Sequence, residues 1–203
     1  GIEKLLPGHI LEFNTWDGRC DVREYWNVLP RRSDSGPRRT VVDLETELYE
    51  LLKDSVKIRL MSDVPFGAFL SGGLDSSTIV AFMAELMEVP VETFSISFSE
   101  EARLDEGGFA ELVAESRSTE HRIVDCTASE VENLPKLLFH FDEPFADPII
   151  VPFYQVSKLA AEHVKVVLTG EGADEVFGGY TRYVNDGFIR RLQKLPRSLR
   201  ALI

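Results

Sequence analysis

The sequence predicts an α/β fold, a parallel sheet flanked by helices on both faces, and three observations predict it. From Asp43 onward, short apolar runs of strand type alternate with apolar residues at helical spacing, the pattern of successive β-α-β units. Two of those runs end in glycine-rich turns, at 71–73 and 170–172, where parallel sheets present ligand loops at their carboxyl edge. The content is 44% hydrophobic and 28% charged over 203 residues, enough for one large domain or a domain with part of another.

The first 30 residues differ from the rest. Pro7-Gly8 marks a turn and Ile10 and Glu12 suggest a short strand. Asp17-Gly18 is a hairpin turn, and a second strand runs from Val22 to Trp26. A lone hairpin is marginal in water, so this piece is expected to pack on something else. Residues 31–42, opening Arg31-Arg32-Ser33-Asp34, are polar and rich in breakers and read as a linker or mobile loop. At Asp43 a helix starts with that residue as its cap, placing Leu44, Leu48, Leu51 and Leu52 on one face.

Val64 to Leu70 is a buried strand, followed after the glycine turn by a helix carrying Ile79, Val80, Phe82, Met83, Leu86 and Met87. Val91 to Phe98 alternates as a strand, Phe109 to Val113 suits a short helix, and Arg122 to Val124 is a further strand. Val131, Leu134, Leu138 and Phe141 mark one more helix face, and Phe153, Val156, Leu159 and Ala160 another. Lys165 to Leu168 is the last strand.

Composition removes several classes. No apolar run is long enough to span a bilayer, and the N-terminus lacks a basic-then-apolar leader pattern. Cys20 and Cys126 are too few for a disulfide framework and have no metal-ligand spacing, so they read as reduced thiols of a cytoplasmic protein. A formal charge of −12 opposes non-specific binding to nucleic acid. It leaves room for a small phosphate ligand, which needs local donors.

Such donors converge at Ser71-Gly72-Gly73-Leu74-Asp75-Ser76-Ser77. The glycines let the backbone turn tightly with its N–H groups open, and the helix that follows adds unpaired donors and a positive partial charge. The serines add hydroxyls, and the result is an anion cradle. It is not the lysine-bearing loop of kinase-like ATPases. Asp75 sits inside the anion site instead, where a carboxylate next to phosphate calls for a cation such as Mg²⁺ between them.

Ser-Gly-Gly-x-Asp-Ser at 71–76 resembles the pyrophosphate loop of the N-type ATP pyrophosphatases, which have an adenine-nucleotide-alpha-hydrolase-like fold. Thr169-Gly170-Glu171-Gly172-Ala173-Asp174-Glu175-Val176-Phe177-Gly178-Gly179-Tyr180 resembles the second signature of the asparagine synthetases, with Thr169 in place of the common serine. Asp142-Glu143-Pro144-Phe145-Ala146-Asp147-Pro148, and the opening Lys4–Gly8 with Glu24-Tyr25-Trp26, are similar to further stretches of that family.

The resemblance implies ATP-dependent adenylation of the aspartate side chain, followed by amidation with ammonia that a glutaminase domain of the same chain releases from glutamine. It implies that Ser71, Gly72, Gly73 and Ser76 hold the pyrophosphate end of ATP, and that Leu70, Ile96, Thr169 and Gly170 flank the adenosine. Asp75 and Asp174 would hold Mg²⁺, and Glu171 would act as general base. Residues 1–30 would be the end of the glutaminase domain, and 43–203 a synthetase domain truncated at its C-terminus. No cysteine stands at the start, and a lysine that steadies the reacting phosphate would lie beyond the end, so the piece alone is expected to bind ATP weakly and to be a poor or dead synthetase. A homodimer is compatible with the sequence.

Plainer readings stand beside these. Asp174 and Glu175 could be acids that only stabilise a helix N-terminus, Glu171 a solvated loop carboxylate, and Asp142 and Asp147 turn formers. His121, His140 and His163 are scattered and read as surface or core residues. Rival functions are a ligase or cyclase of the same family acting on another carboxylate, a GMP, NAD or tRNA-modifying pyrophosphatase, and a non-catalytic nucleotide-binding domain.

Overall fold

A computed structural model describes residues 2–27, 39–101, 105–141, 145, 147–183 and 186. Most of the expected linker (31–38), Asp142 and the stretch at 196–200 lie outside the described residues. The chain divides into two units, Gly1–Leu44 and Glu45–Ile203.

In the first unit β1 (His9–Phe13) pairs antiparallel with β2 (Cys20–Glu24), from His9↔Glu24 to Phe13↔Cys20. The connection is longer than a turn on Asp17-Gly18: Asn14 N–H donates to Arg19 O and Gly18 N–H to Asn14 O, with Gly18 at φ +71°. β2 also stops short of the expected Trp26. Gly8, at φ +70°, turns the chain so that its one carbonyl accepts from both Tyr25 and Trp26.

α1 (Val41–Lys57) begins two residues before its expected cap. Thr40 is the cap, and its hydroxyl accepts from Asp43 N–H at 3.1 Å. The Asp43 carboxylate reaches back to accept from Thr40 N–H and Oγ1 at 3.0 and 2.7 Å, a reciprocal capping box. The packed stripe is also not the leucine face expected. Leu44, Leu48 and Leu51 are exposed, whereas Val56 is buried, Leu52 packs on the core, and Tyr49 meets Phe82 edge-on at 5.1 Å.

The second unit is built on four parallel strands, β3 (Phe66–Phe69), β4 (Glu92–Ser97), β5 (Glu120–Asp125) and β6 (Val166–Leu168), in the order β5-β4-β3-β6. Alternate strand residues point to opposite faces. Ala68, Leu70 and Leu168 join a core with α1, α2 (Leu74–Leu86) and α3 (Gly107–Arg117). Their neighbours Phe69 and Val167 join Phe94 and α5 (Ile150–Ala161) on the other face. Helices therefore cover both faces, as the alternation of elements predicts. Consecutive Thr93, Phe94 and Ser95 are all buried, because neither face of β4 meets water.

A 3-10 segment (Ala128–Asn133) and α4 (Leu134–Phe141) complete the α5 side, where Leu137 is buried and the expected Val131 and Phe141 are exposed. Likewise Ala110 and Ala114 are the packed positions of α3, and Phe109 and Leu112 are exposed. α6 (Ala173–Phe177) follows β6. Among the described residues no helix is long and apolar enough to cross a membrane.

Candidate active site

β4 and β5 lie on one side of β3 and β6 on the other. The strand order runs from β3 to one side and then reverses to β6 on the other, and this switch point lies at the carboxyl ends of β3 and β6, where such sheets open a crevice. The register puts Ala68 beside Leu168, so the two glycine-rich loops, about a hundred residues apart in sequence, start side by side. Between them lies a cleft of about 390 Å³. Leu70, Ser71, Asp75 and Ser76 line it from the first loop, Thr169, Gly170, Glu171 and Asp174 from the second, and Ile96 from β4. Gly72 and Gly73 are not lining residues; they form the turn itself.

Local chemistry explains the shape of that turn. Gly72 has φ +77°, and a Cβ there would stand 2.5 Å from Phe109 Cβ and 2.6 Å from Ala110 N, so only glycine lets the loop lie on α3. Ser76 is buried, and its Oγ accepts from Ser71 N–H at 3.1 Å and lies 2.9 Å from Ser71 Oγ. Ser71 Oγ in turn accepts from Gly73 N–H at 3.3 Å. α2 has no side-chain cap, which leaves its first N–H groups as donors to an anion.

The second loop is fitted against the first. A Cβ on Gly170 would come 2.8 Å from Ser76 N and 3.1 Å from Asp75 Cβ. Thr169 Oγ1 accepts from Glu171 N–H at 3.3 Å, and Gly172 turns the chain at φ +92° into α6. Past α6, Gly178 and Gly179 donate their N–H groups to Asp174 O, and a Cβ on Gly179 would stand 1.9 Å from Asp174 Oδ1. Gly179 thus clears space for that carboxylate.

Several lining residues are not among the site residues the sequence points to. Phe98, Ile149, Pro152, Phe153 and Val156 make an apolar wall, with Phe153 set edge-on to Phe69 at 5.5 Å. The helical spacing of Phe153 and Val156 gave a face for α5, but only packing over β4 turns that face into a wall. Glu106, which precedes α3, and Tyr180, inside the second signature, also line the cleft. Asp147 does not. Its Oδ1 accepts from Ile149 N–H at 3.1 Å, the bond of a turn former. Glu175 accepts from Tyr180 Oη at 2.6 Å, and neither it nor His121, His140 or His163 lines the cleft.

Among the described residues no group of three or more His, Cys, Asp and Glu side chains could hold an ion. Asp75 and Asp174 do share the cleft. Two carboxylates suit Mg²⁺, which keeps several waters and completes its shell with substrate phosphate oxygens. The donor set fits an ion that arrives with a nucleotide.

A family model described as asparagine synthase matches residues 47–202. A Methanocaldococcus jannaschii protein assigned by name as a glutamine-hydrolysing asparagine synthetase is 44% identical over 180 residues, covering 88% of this chain and 34% of the relative. Glutamine-hydrolysing asparagine synthetase 1 of Bacillus subtilis is 35% identical over 204 residues, 100% of this chain and 31% of the relative. The amidase chyE of Penicillium rubens is 29% identical over 204 residues, 92% of this chain and 30% of the relative. The chain spans about a third of the length of these relatives.

Proposed function

The chain belongs to the asparagine synthase family, and on that premise we propose that it activates a carboxylate by adenylation with ATP, the carboxylate being the side chain of aspartate. The observation that carries the reading is one cleft holding the anion cradle of the first loop, the carboxylates of the second and an apolar wall. Triphosphate, cation and flat base call for those three surfaces in that combination.

In this reading the pyrophosphate end of ATP lies on Ser71, Ser76 and the open N–H groups of α2, with Gly72 and Gly73 shaping the turn. The base lies toward Ile96 and the α5 wall, flanked by Leu70, Thr169 and Gly170. Asp75 and Asp174 hold Mg²⁺, which when bound neutralises charge building on the leaving pyrophosphate. A carboxylate oxygen of aspartate attacks the α-phosphorus, and the bond to the β-phosphate oxygen breaks. Ammonia then attacks the acyl carbon of the mixed anhydride, and the C–O bond to AMP breaks. Glu171 takes up the proton that the incoming nitrogen loses.

The names of two relatives specify glutamine hydrolysis, and we carry glutamine-derived ammonia over as the nitrogen source. Residues 1–30 are then the end of a glutaminase domain, and 43–203 belong to the synthetase domain. The second reading keeps the same activation and applies it to another carboxylate.

The test is product analysis on the full-length protein with ATP, Mg²⁺, aspartate and glutamine. Asparagine, AMP and pyrophosphate are expected. ADP with inorganic phosphate would contradict adenylation, and AMP formed only with a different acid would move the substrate. Asp75→Ala should lower the rate by about 10²–10³-fold.

A further inference from the structure

We propose that Arg182 is a positioning residue for the carboxylate substrate, acting through Tyr180; the assignment rests on the adenylation reading above. The starting point is charge. Asp75, Glu106, Glu171 and Asp174 line the cleft, and no Lys or Arg stands among the described lining residues. The cradle and Mg²⁺ serve the phosphates of ATP. A second anion, brought against four carboxylates, needs a positive potential of its own.

Arg182 is placed to supply it. Tyr180 lines the cleft, and the Arg182 guanidinium carbon lies 4.1 Å from the centre of its ring and 5.9 Å from that of Tyr183. Tyr183 meets the Tyr180 ring edge-on at 5.5 Å, and the Tyr180 hydroxyl donates to Glu175 at 2.6 Å. The ring is therefore fixed by three partners. Tyr180 follows directly on Gly178 and Gly179, whose N–H groups bond the Asp174 carbonyl, so it reaches the cleft from the second loop and not from the Ser71–Ser76 cradle.

The face of an aromatic ring carries negative potential and repels an anion. A guanidinium stacked on the ring offsets that potential and makes the residue compatible with a negatively charged neighbour.

The experiment is ATP–pyrophosphate exchange in the full-length protein, titrating ATP and the carboxylate substrate separately for the parent, Arg182→Ala, Arg182→Lys and Tyr180→Phe. Arg182→Ala should raise KM for the carboxylate about tenfold and change KM for ATP by less than about twofold. Arg182→Lys should recover part of the loss by keeping the charge, and serves alone if the alanine variant does not fold. Tyr180→Phe keeps the ring and its stack and should cost less than Arg182→Ala. An unchanged carboxylate KM, equal rises in both KM values, or a lysine variant as impaired as alanine would overturn the assignment. A parent without exchange on any carboxylate overturns the adenylation reading itself, before any variant is compared.

Discussion

At the scale of single residues, two adjacent glycines make the sharpest contrast. Gly72 combines φ +77° with backbone of α3 within 2.6 Å of a built Cβ, whereas Gly73 has φ −68° and meets only Ser71 Oγ at 3.3 Å. Gly72→Ala should cost about 1–2 kcal/mol from the left-handed backbone alone, with the overlap added to it. Gly73→Ala should leave the melting temperature near that of the parent, and equal losses would contradict the geometry. His121 gives a pH prediction. Its Nδ1 pairs with Thr93 Oγ1 at 2.9 Å, its Nε2 is buried without a partner, and burial pushes the imidazole below its usual 6.5 while Glu111 pulls weakly upward. The unfolded chain then binds the proton more readily than the folded one, so this contribution is whole above pH 6.5 and is lost as pH falls below it. The urea midpoint should fall as pH drops from about 7 to 5, and His121→Asn should flatten that slope. A slope that survives the replacement would assign it to the carboxylates.

At the scale of elements, α1 shows both what the sequence reveals and what it hides. The helix was legible from its periodicity and its acidic start. The cap was misplaced because Thr40 and Asp43 satisfy each other, so either one alone reads as a cap. Thr40→Ala should destabilise by about 1 kcal/mol, read from urea midpoints; a neutral result would mean the box adds nothing to the fold. The packed face was hidden for a different reason. Apolar residues stand on two sides of α1, and periodicity cannot tell which side meets α2. The same limit applies to α3, where small Ala110 and Ala114 allow close packing and the larger Phe109 and Leu112 stay outside. Strand positions suffered less. A five-residue run without a polar side chain, bounded by Pro65 and Ser71, has few alternatives to a buried β3.

At the scale of the molecule, the candidate site was legible where its residues are contiguous in sequence and illegible where they are not. The two loops announce themselves because the glycines, acids and hydroxyls each needs are consecutive. The α5 wall and Glu106 join the cleft only through the strand order, which puts β6 beside β3 and α5 across β4. The thiols offer a check on that packing. Cys20 is exposed, while Cys126 is buried and its thiol is pushed up by burial. One thiol should react with a disulfide reagent in the native protein and both in denaturant; two fast native thiols would contradict the core around Leu137 and Ile150. The central claim, that the paired loops adenylate a carboxylate, is tested most directly by ATP–pyrophosphate exchange on the full-length protein with Mg²⁺, with and without L-aspartate. The account predicts exchange that appears with aspartate and disappears in Asp75→Ala and Asp174→Ala. Exchange unaffected by both substitutions, or absent with aspartate and every other carboxylate offered, would contradict it.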